Sequence, residues 1–326
     1  MILVTGGTGH IGNVLAKELI KKDEKIRLLL LPNEDTTPIK GLDVEIVHGD
    51  VRDLDSLKKA MQGIRVVFHL AGIITILSGK GKLLEEVNVG GTKNVVRACL
   101  EVGVERLVYT SSIHALVEPP WGELVTEKMP IDPDKVVGAY AKSKARATLA
   151  VLKGVEQGLD AVMVCPSGVI GPYDYKLSEM GMVIIRYAKK KFKIGIKGSY
   201  DFVDVRDVAR GIVLAEEKGR KGEIYLLSNN QLSISKLFSE LEKLTGIKAP
   251  KFSVPLWLVR LVAPFFSLYA QITHTVPLFT SYSMHTLSSN SNTDHSKASQ
   301  ELGYTTRSHE ETIRDSYEWF KKEGKI

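Results

Sequence analysis

Cysteine is nearly absent: the 326 residues hold two, Cys99 in VVRACLEVG and Cys165 in AVMVCPSG, each inside an apolar run. A disulfide framework is thereby excluded, and buried thiols are expected. No set of His, Cys, Asp and Glu has metal-ligand spacing, so no metal is predicted. Charge of one sign is not concentrated either, since 44 Lys and Arg stand against 38 Asp and Glu for a net +6. The densest basic run, RYAKKKFKIGIKG at 186–198, carries no recognition motif or aromatic platform, so a solvated helix face is expected rather than a nucleic-acid surface. Long hydrophobic runs are missing too. The most apolar stretch, SVPLWLVRLVAPFFSLYAQI at 253–272, is broken by Arg260, Pro264 and Gln271, and no uninterrupted span of about 20 residues remains to cross a bilayer. Packing in a small lobe and an apolar wall for a substrate are expected there, with membrane-surface contact the lesser reading. The N-terminus MILVTGG lacks a basic flank before an apolar run and reads as a strand entering a turn. No signal peptide is expected, and the cytoplasm is the expected compartment.

What is present is a rhythm. Runs rich in Val, Ile, Leu and Phe recur at 1–5, 26–31, 43–47, 65–70, 105–111 and 160–165, separated by helical patterns at 11–22, 54–61, 84–102 and 139–157. The runs are nearly continuous rather than alternating, as parallel strands covered on both faces require. The expected fold is α/β, a doubly wound parallel sheet of Rossmann type with right-handed crossovers. The rhythm loosens after residue 170, so residues 1–172 are assigned to a dinucleotide-binding domain and 173–326 to a smaller substrate-binding lobe, with 202–228 packing back on the first. The polar stretch SYSMHTLSSNSNTDHS at 281–296 reads as a surface segment, and 309–323 as a polar terminal helix.

The turn after the first strand is TGGTGHIG, with Gly6, Gly9 and Gly12 three apart. Gly6 suits a tight turn, Gly9 close approach of a pyrophosphate, and Gly12 a helix lying near the sheet with its N–H groups facing the phosphates. His10 and Ile11 share this turn. Placed between a strand and an amphipathic helix, the motif predicts nucleotide binding. Leu31 stands at the tip of the second strand, where an acid would grip the ribose hydroxyls or an arginine a 2′-phosphate. Glu34 and Asp35 come slightly late, and Arg27 lies within the strand. The cofactor is therefore NAD or NADP, with the balance leaning to NAD.

A tyrosine with a lysine four positions on shares one helix face, and the pattern occurs at Tyr140–Lys144, Tyr187–Lys191 and Tyr317–Lys321. Only Tyr140 opens the helix after the fifth strand, whose end, LVYTSS, sheet topology brings to the cofactor crevice. Ser112 or Ser111 at that tip would meet its hydroxyl. Strand alternation favours Ser112.

In these elements the chain resembles the extended short-chain dehydrogenase/reductase (NAD-dependent epimerase/dehydratase) superfamily. The matches are TGGTGHIG (5–12), GDVRD (49–53), VVFHLAG (66–72), VNVGGTKNVVRAC (87–99), RLVYTSS (106–112), YAKSK (140–144), CPSGVIGP (165–172) and FVDVRDVARG (202–211). Their order holds from residue 2 to about 246, and DHSKASQELGY (294–304) fits the C-terminal end. Within the superfamily the chain is similar to the branch of dihydroflavonol reductases and 3β-hydroxysteroid dehydrogenases, departing from it at Leu31, where such reductases often place an arginine.

The resemblance implies that Tyr140 is the general acid/base at a carbonyl or alcohol oxygen while hydride moves to or from nicotinamide. A free phenol titrates near about 10, and a Lys144 ammonium would lower it. Lys144 would also bond the ribose, and Ser112 the substrate oxygen. Asn88 matches the family's proton-relay asparagine, with a plain helix-polar role the alternative. Asp50 and Val51 would line the adenine, Leu70, Ala71 and Gly72 the middle of the cofactor, and Pro166 and Val169 the nicotinamide. His69 reads as a core residue, while His114 is the lesser candidate for pointing at substrate. The expected function is NAD(P)-dependent hydride transfer on a ketone, aldehyde or secondary alcohol of an apolar, steroid- or flavonoid-like molecule. The alternatives are a nucleotide-sugar epimerase or dehydratase with tightly held NAD, and a non-catalytic NAD(P)-binding sensor or assembly protein. Relatives pair as homodimers through the helices at 84–102 and 139–157 or remain monomers, and both states stay open.

Overall fold

The apolar runs become strands because, apart from the exposed edge at 45–48, both of their faces are covered. The computed structural model describes residues 1–74, 79–192, 194–254 and 289–326. Its first strands are β1 (Ile2–Thr5), β2 (Ile26–Leu30), β3 (Glu45–His48), β4 (Val66–His69), β5 (Arg106–Thr110) and β6 (Ala161–Pro166). Then follow β7 (Gly168–Ile170), β8 (Gly195–Ile196), β9 (Ser199–Asp204), β10 (Ile224–Leu227), β11 (Asn230–Ser233) and β12 (Ser253–Val254). The large sheet is parallel, in the order β10-β6-β5-β4-β1-β2-β3. This is the doubly wound sheet expected from the sequence. Ile2 stands between Ile26 and Val66, and the chain passes from β1 to β2 on one side and from β4 to β5 on the other. The loops after β1 and β4 part there and open a crevice at the carboxyl ends of the strands.

The helices are α1 (His10–Ile20), α2 (Leu54–Ala60), α3 (Gly81–Leu84), which passes through a π-helical stretch Glu85–Gly90 into α4 (Gly91–Val102), and α5 (Ala139–Glu156). Further on come α6 (Glu179–Ala188), α7 (Val205–Lys218), α8 (Ile234–Thr245), α9 (Ser296–Leu302) and α10 (His309–Lys322). Strand alternation divides the core. Ile2, Val4, Leu28 and Phe68 pack with α1 and α7, while Leu3, Leu29, Val67 and Tyr109 pack with α2, α4 and α5. Each large apolar side chain so buried contributes roughly 1.5–3 kcal/mol. Side chains of Asp53, Ser178, Asp204, Ser233 and Ser308 cap the helices that follow them, satisfying N–H groups with no intrahelical partner.

The lobe is built on a β11-β9-β7 sheet and a β12-β8 pair. Its core joins Ile184, Tyr187, Tyr200, Phe202, Leu237, Phe238, Ile313 and Phe320. Although they follow lobe strands in sequence, α7 lies against α1, and β10 forms an edge of the large sheet. The terminal helix α10 is amphipathic rather than polar throughout, burying Ile313, Trp319 and Phe320.

One expectation is overturned. The stretch 281–296 reads as a surface segment, yet Ser289, Asn290, Ser291 and Thr293 are buried. Asn290 donates to the carbonyls of Pro120 and Glu123, both at 2.9 Å, and Thr293 donates to the buried Asp201 carboxylate at 2.6 Å. Polarity here serves hydrogen bonding inside the fold, not hydration. The expectations for 253–272 lie, from residue 255 onward, outside the described residues, as do those for 281–288. Among the described residues no helix is long and apolar enough to cross a membrane.

Candidate active site

The turn after β1 is built so that only glycine fits. Gly6 has φ +75°, and a Cβ on it would stand 2.7 Å from Ala71 N. A Cβ on Gly12 would stand 2.1 Å from Gly6 O, because α1 seats directly on the turn. Gly9 N–H closes the turn on Gly6 O at 3.0 Å. No side chain caps α1, and its first turn carries no acid. Its N-terminal N–H groups and dipole thus suit an anion, and the turn fits a dinucleotide's pyrophosphate. His10, half-buried in the turn, bonds Pro172 O at 2.9 Å and so ties it to the segment after β7. Burial pushes the His10 imidazole down, against the opposing pull of Asp174 and Asp204.

A cavity of about 470 Å³ extends from this turn. The turn contributes Gly6, Gly9, His10, Ile11 and Gly12, and the loop after β4 contributes Leu70 and Gly72. From β5, α5 and the β6–β7 segment come Thr110, Ser111, Ser112, His114, Tyr140, Lys144, Pro166 and Val169. The lobe adds an apolar wall that includes Met180, Val183, Phe192, Phe202, Ile234 and Phe238. Leu31, Asp50, Val51, Ala71 and Asn88 do not line the cavity. Leu31 is 47% exposed at the β2 tip, Asp50 pairs with Arg52 at 2.6 Å, and Val51 packs against Gly91. Ala71 N–H is held by Thr5 Oγ1 at 3.2 Å. Asn88 accepts from Ile73 N at 2.7 Å and donates to Ile73 O and Ser143 Oγ, both at 3.0 Å. Its amide clamps the loop after β4 to α5.

Of the three tyrosine–lysine pairs, only Tyr140–Lys144 lines the cavity. Tyr187 is core, stacked on Phe238 and donating to Ile247 O at 2.5 Å, and Tyr317 packs in the same cluster. Burial pushes the Tyr140 phenol up to about 12, with a hydrogen bond from Ser112 pulling the other way. The ammonium of Lys144 does not lower that phenol as the sequence suggests. It donates instead to Thr110 O at 2.7 Å and Tyr109 Oη at 3.3 Å, and burial brings it down to about 8. The Ser111 hydroxyl bonds Thr148 Oγ1 at 2.6 Å. His114 bonds Tyr200 Oη through Nε2 at 2.9 Å and stands edge-on to the Tyr140 ring at 6.3 Å. His69 is a satisfied core residue held by Thr5 and Thr92, its imidazole pushed by burial down to about 3. Burial likewise raises both cysteine thiols to about 12.

Sequence reasoning missed the lobe wall, whose residues are scattered over 180–238 with no motif to link them. It also left open the β2 tip, where three groups converge. Glu34 accepts from Leu31 N at 3.0 Å and from the Thr8 hydroxyl, and Lys176 reaches Thr8 Oγ1 at 2.9 Å and Glu34 Oε1 at 3.2 Å. Burial raises the Glu34 carboxyl, but the bonds from Thr8, Leu31 and Lys176 outweigh it and hold the group below its ordinary range. Arg27 turns away, donating to Ala60 O at 2.8 Å and Gln62 O at 2.9 Å.

Residues 3–239 match the model of the 3-beta hydroxysteroid dehydrogenase/isomerase family. The chain belongs to this family. It is a dehydrogenase/reductase enzyme of an NAD(P)-dependent kind within the extended short-chain superfamily, as the resemblance implied. It is 32% identical to sterol demethylase protein B of Methylococcus capsulatus, covering 99% of each chain. It is also 32% identical to a putative dihydroflavonol 4-reductase of Synechocystis, covering 99% of this chain and 95% of that protein. The crystal structure of gox2253 superposes with a TM-score of 0.88 at 31% identity, covering 100% of this chain and 99% of that one.

Proposed function

We propose that this enzyme transfers hydride between a nicotinamide dinucleotide and the carbonyl or secondary alcohol of an apolar, polycyclic molecule of steroid or flavonoid kind. The observation that carries the reading is a single cavity joining the glycine turn, the Tyr140–Ser112–Lys144 group and an apolar wall. The dinucleotide, when bound, supplies or takes up the hydride. The protein's own part is proton handling. The Tyr140 hydroxyl gives a proton to the substrate oxygen as it becomes an alkoxide, or takes one from an alcohol. Ser112 Oγ orients that oxygen and stabilises its developing charge. Lys144 holds positive charge nearby and offers an N–H to a ribose hydroxyl. Gly6, Gly9, His10, Ile11 and Gly12 take the pyrophosphate, Leu70, Ala71 and Gly72 the middle of the cofactor, and Pro166 and Val169 the nicotinamide side. Asp50, Val51 and Leu31 are assigned to the adenosine end, outside the cavity. Asn88 shapes the loop that these groups share.

The wall also weighs against a nucleotide-sugar substrate. A sugar diphosphate needs cationic partners, and among the described residues the cavity has no arginine and no lysine besides Lys144. Turnover assays with steroid and flavonoid ketones, run beside nucleotide sugars, test this directly. Turnover of the sugars without added cofactor would establish the epimerase reading, and cofactor binding with no turnover of either panel the sensor reading. A homodimer through the outer faces of α4 and α5, where Arg97, Arg146 and Leu149 are exposed, belongs to the same proposal, and light scattering tests it.

Glu34 supports NAD over NADP. An ionised carboxylate fixed at the β2 tip repels a 2′-phosphate and can accept from ribose hydroxyls, although Lys176 partly offsets its charge. In Glu34→Gln the ratio of kcat/KM for NADP over NAD should rise by roughly tenfold, the scale of one partly screened charge. An unchanged ratio would remove Glu34 from cofactor choice.

A further inference from the structure

Lys144 is a buried cation whose protein partners are a carbonyl and a phenol, not a carboxylate. The phenol accepts from that ammonium at 3.3 Å, and the Tyr109 ring is itself fixed, buried on β5 and tilted against the His69 imidazole with centroids 5.6 Å apart. His69 is in turn bonded to Thr5 Oγ1 at 2.8 Å and Thr92 Oγ1 at 3.0 Å. The Tyr109 ring adds a second contact, with Lys144 Nζ 4.9 Å from its centroid.

We propose that Tyr109 is the positioning residue for Lys144: its phenol oxygen and ring hold the ammonium against Thr110 O. A buried ammonium without a counter-ion survives only where lone pairs are aimed at it, and Tyr109 Oη and Thr110 O supply them. No neighbouring group takes over the task. His69 on β4 is neutral, its imidazole pushed by burial down to about 3. On β6 the Cys165 thiol stands at about 12, as does the Tyr140 phenol on the lysine's own helix.

The functional weight of this inference rests on the role given to Lys144 above, and the two are separable. Isotope-labelled lysine, with the Lys144 resonance identified by its absence in Lys144→Met, gives an ammonium titration that needs no catalysis. In Tyr109→Phe the midpoint should fall by about one pH unit, a tenfold change in the ionisation constant, because one of two bonds to a charged donor is lost. The fold should persist, since the ring tilted against His69 is kept. The ammonium disappears as pH rises through its midpoint, so kcat in Tyr109→Phe should fall more steeply between pH 7 and pH 9 than in the parent, with a smaller change in KM. Tyr109→Met, a flexible apolar side chain without the hydroxyl, should move the midpoint the same way by a similar amount; it serves where Tyr109→Phe does not fold. An unmoved midpoint in whichever variant folds overturns the inference, including a variant that melts earlier without moving it. Full activity in Lys144→Met would instead remove the catalytic role of the lysine and leave the Tyr109 titration to be judged on its own.

Discussion

Tyr140→Phe should lower kcat by roughly 10²- to 10⁴-fold, the usual contribution of a positioned general acid or base, while changing the dissociation constant of the cofactor by less than about threefold. The substitution removes one oxygen and keeps the ring that packs in the cavity wall. It leaves the glycine turn and the loop after β4 untouched, so binding measured by calorimetry should separate from turnover measured by absorbance. Direction of reaction gives a second check. Burial holds the Tyr140 phenol at about 12, so at neutral pH it carries the proton that carbonyl reduction consumes. Alcohol oxidation needs the phenolate, whose fraction grows with pH. Oxidation should therefore climb with pH until Lys144, titrating at about 8, loses its charge, and reduction should be flat below that point and fall above it. Comparable kcat values for Tyr140→Phe and the parent would take the proton transfer away from this residue.

Most of the sheet was legible because its strands are buried on both faces, which writes them as continuous apolar runs. The expected strand at 160–165 is β6 at Ala161–Pro166, and the expected helix at 139–157 is α5 at Ala139–Glu156. The catalytic candidates were legible for a different reason: topology alone assigns the end of β5 to the crevice, so a tyrosine on the next helix stands out from two others with the same spacing. Two kinds of information stayed hidden. Electrostatics depends on where a side chain ends, and the Lys144 ammonium ends on Thr110 O and Tyr109 Oη rather than on the phenol one turn away. The lobe wall depends on long-range packing, since Met180, Phe202 and Phe238 come from three separate elements. Polar stretches mislead in the same manner, for Asn290 and Thr293 are polar and buried because Asp201 and the carbonyls of Pro120 and Glu123 need partners.

The second large effect is expected at Gly12. A methyl group there would lie 2.1 Å from Gly6 O and 2.9 Å from Gly7 Cα, both backbone atoms that no side-chain rotation can relieve. Gly12→Ala therefore forces the start of α1 away from the turn, at a cost of roughly 1–3 kcal/mol in stability. The same displacement moves the N–H groups proposed to meet the pyrophosphate, so cofactor affinity should fall by at least about a hundredfold, close to 3 kcal/mol. Gly81→Ala is the matched control, because a Cβ there meets nothing within 4 Å and its backbone is helical; both stability and affinity should stay as in the parent. The comparison separates a general intolerance of added methyl groups from a seat that α1 needs for binding. If Gly12→Ala bound the dinucleotide as tightly as the parent, the close contact of helix and turn would be packing alone, and the phosphates would have to be held elsewhere.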